Sequence, residues 1–92
     1  MANGIQITLI GKPGCHLCDD ARTALAATVT NFTEGHPSVS IEITEQNLLD
    51  DPALIAKYSE EIPVVLIDGK MHTYWRVDAQ RLSAKLEEIA NA

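Results

Sequence analysis

Residues 63–67, Pro63-Val64-Val65-Leu66-Ile67, are apolar without interruption and without alternation. A strand of this kind has no face to offer water, so it must be covered on both sides. That predicts the central strand of a layered α/β domain, with helices above and below the sheet. Pro63 opens the run instead of breaking it, where a missing N–H does least harm. Asp68-Gly69 follows at once and is a strong two-residue hairpin signal, so residues 70–75 are expected to return antiparallel.

The rest of the chain supplies that cover. Ile5-Gln6-Ile7-Thr8-Leu9-Ile10 is β-branched and nearly alternating, and it stops at Gly11, Pro13 and Gly14, which reads as a strand feeding a tight loop. Leu17, Ala21, Ala24, Leu25, Val29 and Phe32 follow at helical spacing until Gly35 and Pro37 end the pattern. Val39, Ile41 and Ile43 alternate with polar residues, as in a half-buried strand that suits a sheet edge. After a polar turn at Glu45-Gln46-Asn47, Asp51-Pro52 reads as an N-cap and a proline in first helical position. The short helix so begun ends near Ser59 and buries Leu54, Ile55 and Tyr58. Asp78 caps a last helix with a stripe of Leu82, Leu86 and Ile89.

The predicted order is β-α-β-α-β-β-α. The first two strands pair in parallel through a right-handed crossover and the last two form a hairpin, giving a mixed four-stranded sheet with three helices. No linker, repeat or low-complexity segment divides residues 1–92, so one domain is expected. Tyr58, Tyr74 and Trp75 are expected in the core, with an exposed stacking platform as the alternative reading, and the isolated His36 and His72 are expected on the surface.

Thirteen acidic against seven basic residues give a net charge of −6, which argues against nucleic acid or an anionic membrane as partner. The start Met1-Ala2-Asn3-Gly4-Ile5 lacks a basic segment followed by an apolar run, and no stretch approaches the ~20 apolar residues of a membrane span. A cytoplasmic location is the expectation. There, two cysteines spaced C-x-x-C read as catalytic or metal-binding rather than as a structural bridge.

Cys15 and Cys18 are those cysteines, placed where the first strand gives way to the first helix. A cysteine there meets unpaired N–H groups and the positive end of the helix dipole, which favour thiolate; such sites bring a thiol from ~8.5 into the range ~3.5–7.5. Cys18 lies one turn further in, with poorer access. Cys15 is therefore expected to attack and Cys18 to resolve, since Cα atoms at i and i+3, roughly 5–6 Å apart, are within disulfide reach. A charged His16 between them would favour the Cys15 thiolate, whereas Asp19 and Asp20 would oppose it. The plainer readings are a solvent-facing spacer for His16 and dipole-compatible surface acids for Asp19 and Asp20. Lys12 offers a positive charge to the thiolate or to a substrate carboxylate, or is plain surface.

The strand, the Pro-Gly-Cys-x-x-Cys that opens a helix, and Ile62-Pro63-Val64-Val65 before an Asp-Gly hairpin resemble the minimal thioredoxin fold over nearly the whole chain. The chain is similar to the small bacterial glutaredoxin-like proteins. That resemblance implies a redox-active dithiol without a resident cofactor, with glutathione or another low-molecular-weight thiol as co-substrate. It also implies a disulfide-containing protein or thiol as substrate, and a substrate-contacting lysine at Lys12. Pro63 should follow a cis peptide bond and lie against the dithiol, leaving the backbone of Ile62 to pair with a bound peptide or thiol. Asp78 would correspond to the acidic residue of the glutathione-binding turn. The sequence departs from the pattern there, reading Trp75-Arg76-Val77-Asp78 without a glycine pair, and between the cysteines, where the proline and tyrosine common in glutaredoxins are missing. A flavoprotein reductase is the alternative electron donor. Two other classes stay open: zinc or iron–sulfur binding through the C-x-x-C, and an interaction module whose dithiol does not turn over.

Overall fold

The computed structural model describes residues 4–91; the expectation attached to Met1, Ala2 and Asn3 lies outside them. The elements are β1 (Gly4–Gly11), α1 (His16–Gly35), β2 (Ser40–Asn47), a single 3-10 turn (Leu48–Asp50), α2 (Pro52–Tyr58), β3 (Val64–Ile67), β4 (Lys70–Tyr74) and α3 (Ala79–Ala90). The order is the one predicted, with the 3-10 turn added. The sheet runs β2-β1-β3-β4, with β1 parallel to β2 and antiparallel to β3, and β3 antiparallel to β4.

The β1–β3 register pairs Leu9 with Val65 and Ile10 with Val64, and side-chain alternation sends these two pairs to opposite faces. On one face Ile5, Ile7, Leu9, Val65 and Ile67 pack against Ala21, Leu25, Val29 and Phe32 of α1 and Leu82 and Leu86 of α3. On the other, Ile10 and Val64 pack with Leu48 and Tyr58 beneath α2. The two faces explain why β3 shows no alternation, and a slip of one residue would exchange them.

The turn at Asp68-Gly69 has positive φ at both residues, 51° and 83°, the geometry that matches strand twist in a two-residue hairpin. Asp68 also accepts from Gln6 N through Oδ1 (2.9 Å) and donates its own N–H to Gln6 O (2.7 Å), tying the turn to β1.

Several expectations are corrected. Glu45-Gln46-Asn47 is not a turn but the end of β2, because Ile10 and Gly11 continue the parallel ladder opposite Gln46 and Asn47. Ile43 and Ile55 are exposed, since an edge strand and a two-turn helix each have only part of one side covered. Leu17 is also exposed and the stripe of α1 is carried instead by Cys18, Ala21, Leu25, Thr28, Val29 and Phe32. Tyr58 is in the core, but Tyr74 and Trp75 are not, being 45% and 52% exposed. β4 stops before Trp75, whose φ of 68° leaves the extended region.

His36 and His72 are half-buried rather than superficial. His36 stacks on Phe32 with centroids 4.0 Å apart, donates Nδ1–H to Phe32 O (2.9 Å) and places Nε2 3.4 Å from Glu87, joining the end of α1 to α3. Burial, with Arg81 and Lys85 adding to it, holds the His72 imidazole below its ordinary range.

Candidate active site

β1 delivers the chain to the sheet end at Gly11, and a turn over Lys12-Pro13-Gly14 redirects it into α1. Gly14 has φ of 76°, a left-handed conformation that glycine takes without a Cβ penalty. Cys15 is the N-cap of α1: its backbone is extended, and its Sγ accepts a hydrogen bond from Cys18 N at 3.2 Å. The sulfur thus stands where Ser or Asp would normally satisfy the free N–H groups of a helix start.

Cys15 is half-buried and Cys18 is 1% exposed; both are free thiols. Burial is the main reason the Cys18 thiol is pushed up to about 11, and a hydrogen bond to Cys15 and negative charge there act in the same direction. The backbone N–H of Lys12 and the charge of Arg22 oppose it. Two cysteines three residues apart are thereby made chemically unlike: one at a helix end, one held protonated beneath it.

Gly11 permits that burial. A Cβ built there would lie 2.9 Å from Cys18 Sγ, closer than such atoms pack. Gly11→Ala is expected to cost about 1–2 kcal/mol through overpacking and to expose Cys18 to alkylation, read by urea unfolding and by mass-mapped labelling. Unchanged stability and labelling would show that the sulfur moves aside freely.

Arg22, one turn past Cys18, donates Nε–H to both carboxylate oxygens of Glu45 (2.9 and 3.0 Å) and Nη1–H to Asp19 (2.8 Å). The pairs are exposed, so each contributes little singly, but together they join the first turns of α1 to β2. Asp19 is therefore a surface acid with a partner. A hollow of about 350 Å³ opens here, lined by Lys12, Pro13, Cys18, Arg22, Glu45 and Asn47 among others.

The other expected site residues fall as follows. Lys12 and His16 are exposed on either side of Cys15. The Ile62-Pro63 peptide is cis. Pro63 is fully buried, and the pairing of Ile10 with Val64 puts it at the same sheet end as Gly11. Ile62 is half-buried against the smaller core cluster. Asp78 caps α3, with Oδ1 accepting from Gln80 N (2.9 Å) and Arg81 N (3.2 Å). Asp78→Ala is expected to lower stability by about 1 kcal/mol, with Asp78→Asn retaining most of it, as measured by the denaturant midpoint; equal losses for both would mean the cap is not the cause.

Gly11 reads in the sequence only as the end of a strand and Trp75 as core, and Arg22 is not singled out there. A glycine ending a strand is a signal for close backbone approach, which would have found the first. Arg22 and Glu45 are 23 positions apart, so that pair is a tertiary fact. Among the described residues, no group of three or more His, Cys, Asp or Glu side chains is placed to hold a metal ion, and no helix is long and apolar enough to cross a membrane.

A C-x-x-C at a helix start, a cis-proline opening the central strand at the same sheet end, and a β2-β1-β3-β4 mixed sheet define a thioredoxin-fold protein. Residues 6–87 match the family described as "Glutaredoxin-like domain (DUF836)", and the chain belongs to that family. It is 32% identical over 81 residues to the uncharacterized protein Rv0508 of Mycobacterium tuberculosis, covering 88% of this chain and 81% of that one. The X-ray structure of protein XcR50 from X. campestris superposes with a TM-score of 0.69 at 30% identity, covering 89% of this chain and 96% of that one. The oxidised thioredoxin of Plasmodium falciparum shares the fold, with a TM-score of 0.59 at 12% identity over 96% of this chain and 83% of that one.

Proposed function

We propose that the chain is a thiol–disulfide oxidoreductase acting on protein or low-molecular-weight mixed disulfides, with Cys15 as nucleophile and Cys18 as resolving thiol. The observation that carries this reading is the asymmetry of the pair: Cys15 Sγ caps α1 and accepts the Cys18 N–H, while Cys18 is buried and holds its proton. Cys15 is the half-buried thiol at the helix start and Cys18 the buried one beneath it, so Cys15 is the sulfur an incoming disulfide meets first.

Cys15 attacks one sulfur of the substrate disulfide. The substrate S–S bond breaks, its departing sulfur leaves as thiolate and takes a proton, and Cys15 is held in a mixed disulfide. Cys18 then releases its proton to solvent and attacks Cys15 Sγ, closing the Cys15–Cys18 bond and releasing the second substrate thiolate. Two electrons and two protons pass from dithiol to substrate. Two of the causes that hold the proton on Cys18 are its hydrogen bond to Cys15 and the negative charge there. Both vanish once Cys15 is bonded to substrate, so the resolving thiol is eased toward ionisation at the step that needs it.

In this reading Lys12 and His16 flank the incoming disulfide and the Ile62 backbone borders it. Asp78 acts through the helix it caps. Glutathione, another small thiol or a flavoprotein reductase returns the electrons, in a reducing compartment such as the cytoplasm. Mixing the reduced chain with a small disulfide should yield two substrate thiols and a protein lighter by two hydrogens, read by thiol titration and intact mass. A dithiol unchanged after prolonged mixing overturns the reading.

A further inference from the structure

Trp75 is the single tryptophan of the chain, and its backbone occupies the left-handed region at φ 68°, where a bulky residue is an outlier under strain. The surroundings hold it there. Trp75 N donates to Pro63 O (2.8 Å), Trp75 Nε1 to Glu60 O (3.0 Å), Arg76 N to Tyr74 O (2.8 Å) and Thr73 Oγ1 to Arg76 O (3.2 Å). Tyr74 meets the indole edge-on, with centroids 4.9 Å apart. One hydrogen bond from the ring, one from the Trp75 backbone and two between its neighbours thus hold a residue that remains 52% exposed. A large apolar ring held in a strained conformation and left half in water is not there for the core.

The indole borders two hollows. The one toward α1, about 310 Å³, has an apolar lining of Leu17, Ala21, Val77 and Trp75, with Asp20 and Arg76 adding one charge of each sign. Leu17 lies between the two cysteines in the first turn of α1 and Trp75 is hydrogen-bonded through its backbone to Pro63, so this hollow lies between the start of α1 and the segment that follows β4. Its volume is at the lower end of ligand cavities, ~300–1,000 Å³, enough for an apolar side chain of a docked peptide. The two charges cancel locally, and the net charge of −6 disfavours an anionic occupant.

We infer that Trp75, with Leu17, is the specificity-determining element of the site, and that it selects extended peptide disulfides of neutral or positive charge with an apolar side chain beside the half-cystine. The inference rests on the oxidoreductase reading for its turnover assay and stands apart from it in its binding assay.

The test uses two disulfide-linked peptide dimers that differ only in Phe or Ser beside the half-cystine. Reduced protein is expected to react about tenfold or more faster with the Phe peptide, the scale on which an apolar pocket discriminates. Trp75→Gly keeps the positive φ while removing the ring, and should bring the two rates within about twofold; Leu17→Ser should reduce the preference several-fold. In a Cys15→Ser chain, the thiol-blocked Phe peptide should shift the emission of the lone indole to the blue, and the Ser peptide should not. Measurable but equal rates for the two peptides in the native chain, a preference untouched by Trp75→Gly, or the absence of any emission shift with the Phe peptide overturns the inference. So does a concentration-dependent blue shift without peptide, which identifies a second copy of the chain as the occupant. A saturable shift with the Phe peptide, together with no loss of thiols to either peptide, retains the docking assignment and removes the oxidoreductase reading.

Discussion

Replacing Cys15 by Ser is expected to bring disulfide reduction down to the uncatalysed background, a loss of about three orders of magnitude or more, because no other thiol has access to substrate. Cys18 is 1% exposed and its thiol is pushed up to about 11, so at neutral pH it is almost wholly protonated and cannot stand in. Cys18→Ser is expected to behave differently. Its Cys15 still attacks, but nothing resolves the product, so the mixed disulfide accumulates to one equivalent per chain and is visible by intact mass. Labelling should follow the same division: an alkylating reagent near pH 7 modifies Cys15 alone, and Cys18 joins only as the pH nears 11. Turnover retained in Cys15→Ser, or equal labelling of both cysteines at pH 7, would sink the assignment of roles.

The second large effect is on stability against pH. The folded Cys18 thiol titrates near 11 against an ordinary 9.0, so the folded chain holds this proton more tightly than the unfolded one. Below about pH 9 both states are protonated and the contribution is fully present. Between about 9 and 11 the unfolded chain gives up its proton while the folded chain keeps it, and stability falls by about 1.4 kcal/mol per pH unit. The loss is complete above about 11 and amounts to roughly 3 kcal/mol. Lysines and tyrosines titrate in the same window, so the quantity to measure is the difference between reduced native chain and Cys18→Ala, by urea unfolding at several pH values. That difference should move against the native chain by roughly 3 kcal/mol between pH 8.5 and 11.5. A flat difference would mean that Cys18 ionises as it does in an unfolded chain.

How much was legible in the sequence follows the range of the interactions concerned. The hairpin at Asp68-Gly69, the caps at Asp51 and Asp78, and the proline at the start of α2 are decided within three or four residues by backbone geometry and side-chain-to-backbone hydrogen bonds. The unbroken apolar run at 63–67 reports burial on two faces, and the two core clusters bear that out. Where the reading failed, a distant partner decided the outcome. Glu45-Gln46-Asn47 has turn composition, but the ladder offered by β1 extends it. Leu17 has the spacing of a buried residue, yet the hollow beside it is left open by the segment that turns at Trp75. Trp75 has the composition of core, and hydrogen bonds to Pro63 and Glu60 hold it outward.

The dithiol at the head of α1 divides in the same way. The spacing of Cys15 and Cys18, their place between a strand and a helix, and the proline opening the central strand are properties of the sequence, fixed by the 3.6-residue helical repeat and by where glycine and proline interrupt it. That Cys18 is buried against Gly11, that Arg22 reaches Glu45 and Asp19 beside it, and that Trp75 stands over a hollow next to the dithiol turn were decided only by the folded chain. Each depends on groups brought together by sheet pairing and helix docking. Desolvation of a thiol, like the accessibility of an indole, belongs to the packed assembly and not to any segment of it.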